Sequence, residues 1–360
     1  MSSNKTVFFL IGVLLTILGS SMLIPYSIQV LTQENSHSFI GASFITIFIG
    51  ITVTFIIPRM IPGDPVERTL SSLGSLQTLD PRAVENLKEV LADLYGLGGT
   101  QLDQYINFWK RLVRGDLGPS LSSFPTPVTE IIAKGLPWTV GLLTTSTLIS
   151  WLLGVILGTL AGYSPSSVKW QIIDKVFISI YPIPHYILAL ILVMIFSYYF
   201  PIFPLVGGAS GKPALSWAYI SSIFEHSLLP ATSLIFLSTA FRFIMAKALT
   251  TTVIGSDYVK YAETAGLEKW RIVLFYITRN TMLPQITDLG LSLGSVFGGA
   301  LIIEIVFSYP GIGYSLYMGV FQADFNLILG ITIFSIVGIA TAALLVDLSY
   351  PFLDPRVRYK

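Results

Sequence analysis

A glycine loop ending in Gly-Lys-Ser/Thr would let backbone amides and a lysine hold nucleotide phosphates. The nearest approach in this chain, Gly211-Lys212-Pro213, fails that pattern, so the chain is not its own ATPase by that route. Gly290-Leu291-Ser292-Leu293-Gly294 fits the nucleophile-elbow expression, but such a turn needs a strand before it and a helix after it. This copy lies inside a long apolar run with no histidine positioned to activate the serine, and small residues in a membrane helix are the better reading. His37, His185 and His226 are far apart and lack ligand spacing. The chain has no cysteine, which excludes disulfides, thiolate metal sites and cysteine nucleophiles together. No catalytic residue, metal site or cofactor is expected.

The elements that position these residues are set by an unusual composition. Apolar residues make up 53% and charged residues 11% of the 360, against roughly 25% charged in a soluble domain. Such a chain is solvated largely by lipid. A net charge of +1 and the absence of a basic stripe argue against nucleic acid as a partner. Apolar runs long enough to cross hydrocarbon, about 17 to 25 residues each, lie near 7–24, 39–61, 137–162, 176–200, 228–249, 285–307 and 326–350. The fold class is therefore an all-α polytopic membrane protein.

Orientation follows from Lys and Arg in the short connections. Lys169, Lys175, Lys247, Lys260, Lys269, Arg271, Arg279, Arg356, Arg358 and Lys360 fall in 163–175, 247–284 and 351–360, whereas 201–227 and 308–325 carry only Lys212. The first set is expected in the cytoplasm together with the C-terminus, and the long segment 62–136 outside. If 7–24 crosses, parity places residue 1 outside, although Lys5 prefers the inside; without a small-x-small cleavage site, this run is read as an extra uncleaved helix.

The external segment 62–136 carries two helix patterns. Asp80 and Pro81 give a cap and a first-turn proline, followed by Ala83, Leu87, Val90, Leu91 and Leu94 up to a stop at Gly96. Leu102, Tyr105, Ile106, Trp109, Leu112 and Val113 share a face that ends at Gly115. These helices could pack on the bundle's own outer ends or form a platform for a substrate-delivery protein. Pro182 and Pro184 should kink the start of the 176–200 helix. Gly290, Gly294 and Gly298 put missing side chains on one face, either as a packing seam or as a helix lining a path between two membrane subunits. Asp288 and Asp347 lie near the inner ends of their runs and Glu304 near an outer end, which reads as snorkelling or interfacial placement, and Arg242, about a turn and a half inside Lys247, reads the same way. None earns a role in substrate binding.

Between two long apolar segments, Ser256 to Pro284 forms a polar island. Ser256 or Asp257 can cap a short helix over Tyr258 to Ala265, with Gly266 as a left-handed stop. Lys260, Glu263, Glu268, Lys269, Arg271 and Arg279 keep the island out of hydrocarbon, while Tyr258, Tyr261, Leu267 and Trp270 offer an apolar set. Such a helix is either presented to a partner or merely a capped connection.

The sequence DYVKYAETAGL followed by RNTMLP resembles the cytoplasmic EAA loop of ABC importer membrane subunits, in the form found in dipeptide/oligopeptide permease B-type subunits. IPGDP at Ile61 to Pro65, RGDLGPSL at Arg114 to Leu121, IIEIVFSYPGIG from Ile302 to Gly313 and the C-terminal VDLSYPFLDPRVRY are similar as well. The matches run in family order from about Ile40 to the end. Two departures are that Arg279 stands where the general pattern has proline, with Pro284 later, and that the first forty residues have no counterpart.

The resemblance implies a six-helix ABC importer transmembrane core over 39–360, with 62–136 as a helical extracytoplasmic insertion and 247–284 as the coupling loop. Residues 1–38 would add one extra N-terminal hydrophobic helix. It further implies that the short helix lies in a groove of an ATP-binding subunit. Asp257 would cap it, Tyr258, Tyr261 and Ala262 would make contact, Lys260 and Glu263 would form a polar rim, and Ala265, Gly266 and Leu267 would form the exit turn. The implied partners are a homologous C-type permease subunit, two ATP-binding ABC subunits, an extracytoplasmic solute-binding protein and the lipid bilayer of a prokaryotic plasma membrane. Peptides are the default cargo, with oligosaccharides or nickel as alternatives within the class. A secondary transporter would show midplane ionisable groups and inverted repeats, which the sequence does not display; a membrane scaffold would need no cargo.

Overall fold

The computed structural model describes residues 36–60, 66, 81–94 and 96–353. The expected helix at 7–24, the IPGDP stretch and the last residues of the C-terminal motif lie outside them. Among the described residues the regular structure is helical, with a single isolated bridge between Pro119 and Pro127. Together with its long apolar helices, this is the architecture of an all-α polytopic membrane protein.

The chain divides into two compact units. The first comprises residues up to Pro137 with Phe297–Leu301 and Gly311–Thr341. It contains α1 (Ser36–Met60), α2 (Pro81–Leu94), α3 (Gln101–Val113), the start of α4 (Val128–Tyr163), α11 (Ile312–Phe321) and the first part of α12 (Phe325–Leu353). Helix α2 begins at Pro81, as expected from a proline whose missing N–H would be unpaired there anyway, and Gly96 beyond it takes φ +66°. The core of this unit packs Val128 and Ile132 of α4 against Ile312, Leu316, Leu327, Ile328 and Ile331.

The RGDLGPSL stretch has a structural job in this unit. Ser120 donates its hydroxyl to the Asp324 carboxylate at 2.6 Å, and the Ser122 amide donates to the same oxygen at 3.0 Å. Asn326 donates to the Pro119 carbonyl at 2.9 Å. A Cβ at Gly118, which adopts φ +81°, would meet the Arg111 guanidinium at 2.8 Å and the Asn326 amide at 3.1 Å. The loop is thereby tied to the N-terminus of α12 by a buried, charge-assisted hydrogen bond from Ser120 and by half-buried hydrogen bonds from Ser122 and Asn326.

The second unit comprises Trp138–Val296, Ile302–Pro310 and the chain from Ala342 onward. It holds the rest of α4, then α5 (Val168–Ile180), α6 (His185–Val193, continued as the π-helical Met194–Tyr199) and α7 (Trp217–Ile254). Helix α8 (Asp257–Thr264) follows, then a run built from the turn Lys269–Arg271, the π-helical Ile272–Thr278 and α9 (Arg279–Ser295). After it comes α10 (Leu301–Val306).

Among the described residues, three helices are long and apolar enough to cross a membrane: α4, α7 and α12 over Phe325–Leu348. Two of the expected single spans are broken. The 176–200 run is not one kinked helix but the pair α5 and α6, bent by 99°. Pro184 occupies the N-cap position of α6 with extended ψ 140°, because proline cannot donate and drives its predecessor out of the α region. The 285–307 run is interrupted as well. After Ser295 it tightens into a 3-10 turn, Val296–Gly298, and Gly299 takes φ +74°, a conformation that ends a right-handed helix before α10 restarts it.

Candidate functional site

The polar island folds into a short helix with a built C-terminus. Gly266 takes φ +74°; its amide donates to the Glu263 carbonyl at 3.0 Å, and the Leu267 amide to the Ala262 carbonyl at 3.2 Å. This pair of bonds is a Schellman motif, which satisfies carbonyls that a helix end otherwise leaves open. At the other end, Ser256 has the extended backbone of an N-cap, and Asp257 is the first helical residue. The expectation of Asp257 as the cap is therefore corrected by one position. Neither side chain makes a capping bond, and Asp257 instead sits in the first turn, where its charge complements the helix dipole.

The faces of α8 divide sharply. Val259 and Ala262 are buried at 0% and 1% exposure, in a cluster with Ile272 and Ile277 against Tyr163, Val253, Ile254, Leu267 and Tyr276. Ala262, expected on the outward contact face, is turned into the chain's own core because it lies one helical turn from Val259. Tyr261 is 78% exposed and Tyr258 40%; Lys260, Glu263, Ala265 and Gly266 are exposed, and Leu267 is half-buried. Glu263 also accepts a hydrogen bond from the Tyr163 hydroxyl at 3.1 Å, so this rim residue is held by the end of α4. Beside it, Lys247 of α7 pairs with Asp174 of α5 at 2.7 Å.

Farther along the same helices lies a group that sequence position misread. Arg242 does not snorkel. It is 6% exposed, and its guanidinium donates from Nε to Asp288 at 2.9 Å, from Nη1 to the Ser150 hydroxyl at 2.7 Å and from Nη2 to the Ser292 hydroxyl at 2.8 Å. Asp288, half-buried, is correspondingly the ion-pair partner of Arg242 rather than an isolated charge. Glu304 is likewise fully buried and accepts from the Thr139 hydroxyl at 2.8 Å. The sequence signal was available, since ionisable residues at membrane depth generally pair with one another. Ser292, centre of the nucleophile-elbow match, lies within helix α9 and serves as an acceptor for Arg242.

Two glycine faces set how closely helices approach. A Cβ at Gly290 would come within 2.8 Å of Val346, and one at Gly294 within 3.1 Å of the Ala342 side chain. Gly298, in the 3-10 turn, faces Ile339 at 3.3 Å. Each of the three thus meets α12 of its own chain. The tighter seam is at Gly154, Gly158 and Gly162 of α4, where added side chains would fall on Arg242, the Phe243 carbonyl and Thr250 of α7. Its four-residue spacing carries the same signal as the first face.

Residues 154–359 match the family described as "Binding-protein-dependent transport system inner membrane component". The chain is 31% identical over 318 residues to the oligopeptide transport system permease protein AppB of Bacillus subtilis (strain 168), covering 88% of this chain and 96% of that protein. The chain belongs to this family. It is a permease subunit of a binding-protein-dependent ABC importer, a membrane transport component and not an enzyme. The permease is also 29% identical over 332 residues to the dipeptide transport system permease protein DppB of Escherichia coli (strain K12), and 30% over 317 residues to the oligopeptide transport system permease protein OppB of Haemophilus influenzae. Each comparison covers 87% of this chain and 95% of the relative. The family match includes α8 and its supporting cluster as well as Arg242, Asp288 and Ser292 of the buried polar group.

Proposed function

We propose that this permease forms half of a translocation path for oligopeptides and is driven through α8 by ATP-binding subunits. A homologous C-type subunit supplies the other half, two ATP-binding subunits supply the work, and an extracytoplasmic solute-binding protein delivers the cargo. Six crossing segments within 39–360 form the core, with 62–136 outside and 247–284 in the cytoplasm as the coupling loop. The distribution of Lys and Arg supports that orientation and a cytoplasmic C-terminus. The relatives' names, which speak of dipeptide and oligopeptide transport, support the choice of cargo.

The observation that carries the reading is the division of α8. One face, Val259 and Ala262, is fixed to the ends of the long helices, while Tyr261, Tyr258 and Lys260 project from the other. A helix held in this way passes a force on its outer face into the bundle. Closure of an ATPase dimer gripping that face would shift the bundle between inward-open and outward-open states.

The test is Gly266→Val in the full complex reconstituted in liposomes. A β-branched residue at φ +74° costs about 1–2 kcal/mol of backbone strain, tilting the exit of α8. Expected are normal membrane insertion and loss of ATP-driven uptake of a labelled tripeptide. Uptake at the unmodified rate would reject α8 as the coupling element. For orientation, a cysteine at Gly255 should react with a membrane-impermeant maleimide only from the cytoplasmic face.

A further inference from the structure

We propose that Arg242 and Asp288, together with Ser150 and Ser292, form a strut that makes α7 and α9 move as one body when α8 is displaced. The proposal rests on the reading of α8 as the driven element, and it adds how the motion is carried past the coupling loop.

Helix α7 leads into α8, and the run through Ile272–Thr278 leads out of it into α9. Near α8 these two arms are joined by the apolar cluster of Val253, Ile254, Ile272 and Ile277. One apolar contact is non-directional and fixes a meeting point but not an angle; two helices joined only there can splay. The π-helical stretch, whose backbone bonds depart from the α pattern, adds a place where the second arm could yield. A second joint at another level removes that freedom.

Arg242 supplies the joint. It stands about three turns before the end of α7, and Asp288 and Ser292, four residues apart on one face of α9, accept from Nε and Nη2 of the same guanidinium. The planar fork fixes direction as well as distance, which a lysine or an apolar pair would not do. The third acceptor, Ser150, adds α4 to the joint. Gly154, one turn on, removes the side chain that would strike Arg242 and so lets α4 lie close enough to take part. Stability alone does not call for this arrangement, because a buried ion pair is often replaceable by apolar residues at little cost. What such residues would lose is the fixed angle.

The experiment uses the whole complex in liposomes. The chain contains no cysteine, so two introduced cysteines carry unique spin labels in it. Phe236 of α7 and Ser295 of α9 are exposed and lie beyond the joint as seen from α8. The label separation is measured by pulsed electron resonance with and without trapping by ATP and vanadate. Expected is one narrow distance common to both states with the native pair, and a distance that shifts or broadens on trapping in Arg242→Met with Asp288→Leu. The exchanged pair, Arg242→Asp with Asp288→Arg, should restore part of the narrowness. Should the apolar pair fail to assemble, Asp288→Asn and Ser292→Ala give the same readout from milder changes. A native distance that itself changes on trapping overturns the strut, as does a distance that stays fixed in every variant. Failure of ATP-binding subunits to co-purify with the unmodified chain would instead overturn the reading of α8, a result distinct from either.

Discussion

Helices α3 and α8 are both short, amphipathic and placed in connections between long apolar helices, yet they are held by opposite means. Helix α3 caps itself. Thr100 accepts from the Asp103 amide while Asp103 accepts from the Thr100 amide at 3.0 Å, and none of its residues is buried. Its ties to α1 include two aromatic contacts, Phe48 stacked on Trp109 at 5.4 Å and Phe55 against Tyr105 at 5.2 Å, and a hydrogen bond between the Thr52 and Tyr105 hydroxyls at 2.9 Å. Helix α8 has no side-chain cap but buries Val259 and Ala262 completely. The first is an element stabilised locally that leans on its neighbour; the second is seated on its neighbours by a buried apolar face. An element meant to transmit force should be of the second kind, since local caps hold a helix together without fixing it to anything.

That contrast can be broken most forcefully at Ala262. Ala262→Leu pushes extra methylenes into a filled cluster and should cost about 1–3 kcal/mol, read as a lower Tm of the detergent-solubilised complex. The same change at exposed Ala265, three residues on, should stay within about 0.5 kcal/mol. Equal effects at both positions would mean that α8 is not seated as described.

The next largest effect compares the two N-caps directly. Thr100→Ala removes both bonds that Thr100 makes as a side chain and should cost about 0.5–2 kcal/mol, seen as faster amide exchange across Gln101–Val113. Ser256→Ala has no side-chain capping bond to lose and should change exchange in α8 little. If instead Ser256→Ala is the more damaging, α8 depends on a local cap after all.

How much of this could be read from the sequence depended on how local each cause is. The helices α1, α4, α7 and α12 follow from apolar runs, and the stops at Gly96, Gly115 and Gly266 from single residues able to adopt positive φ. The two broken spans were legible only in part: Pro182 and Pro184 announced a disturbance, but the 99° bend depends on packing, and Gly299 lay unmarked within an apolar run. Pairings across the chain were the least legible. Arg242 and Asp288 are separated by 46 residues, and Ser120 and Asp324 by 204. No periodicity links such partners; only the cost of an unpaired charge in hydrocarbon requires that they be found. Ala262 was assigned to the wrong face because helix composition alone does not say which stripe of an eight-residue helix is covered.

The smallest effect, and the sharpest test of self-capping, is its response to acid. The hydrogen bond from the Thr100 hydroxyl, then that from the Thr100 amide, hold the Asp103 carboxyl below its ordinary value of 3.8, with the nearby Lys110 charge adding to them and slight desolvation opposing. A carboxyl whose value is depressed by folding contributes stability above its unfolded value and loses that contribution as pH falls through its folded value. The capping box should therefore be intact at neutral pH and fade below about pH 4, with exchange of the first amides of α3 rising faster than intrinsic rates. Asp103→Asn should flatten that dependence while leaving Thr100 able to cap. Helix α8 provides the internal comparison: its hold on the bundle is the apolar contact of Val259 and Ala262, so the same acid interval should leave those two amides protected. Loss of protection at both helices together would point to acid unfolding of the whole chain and remove the distinction between them.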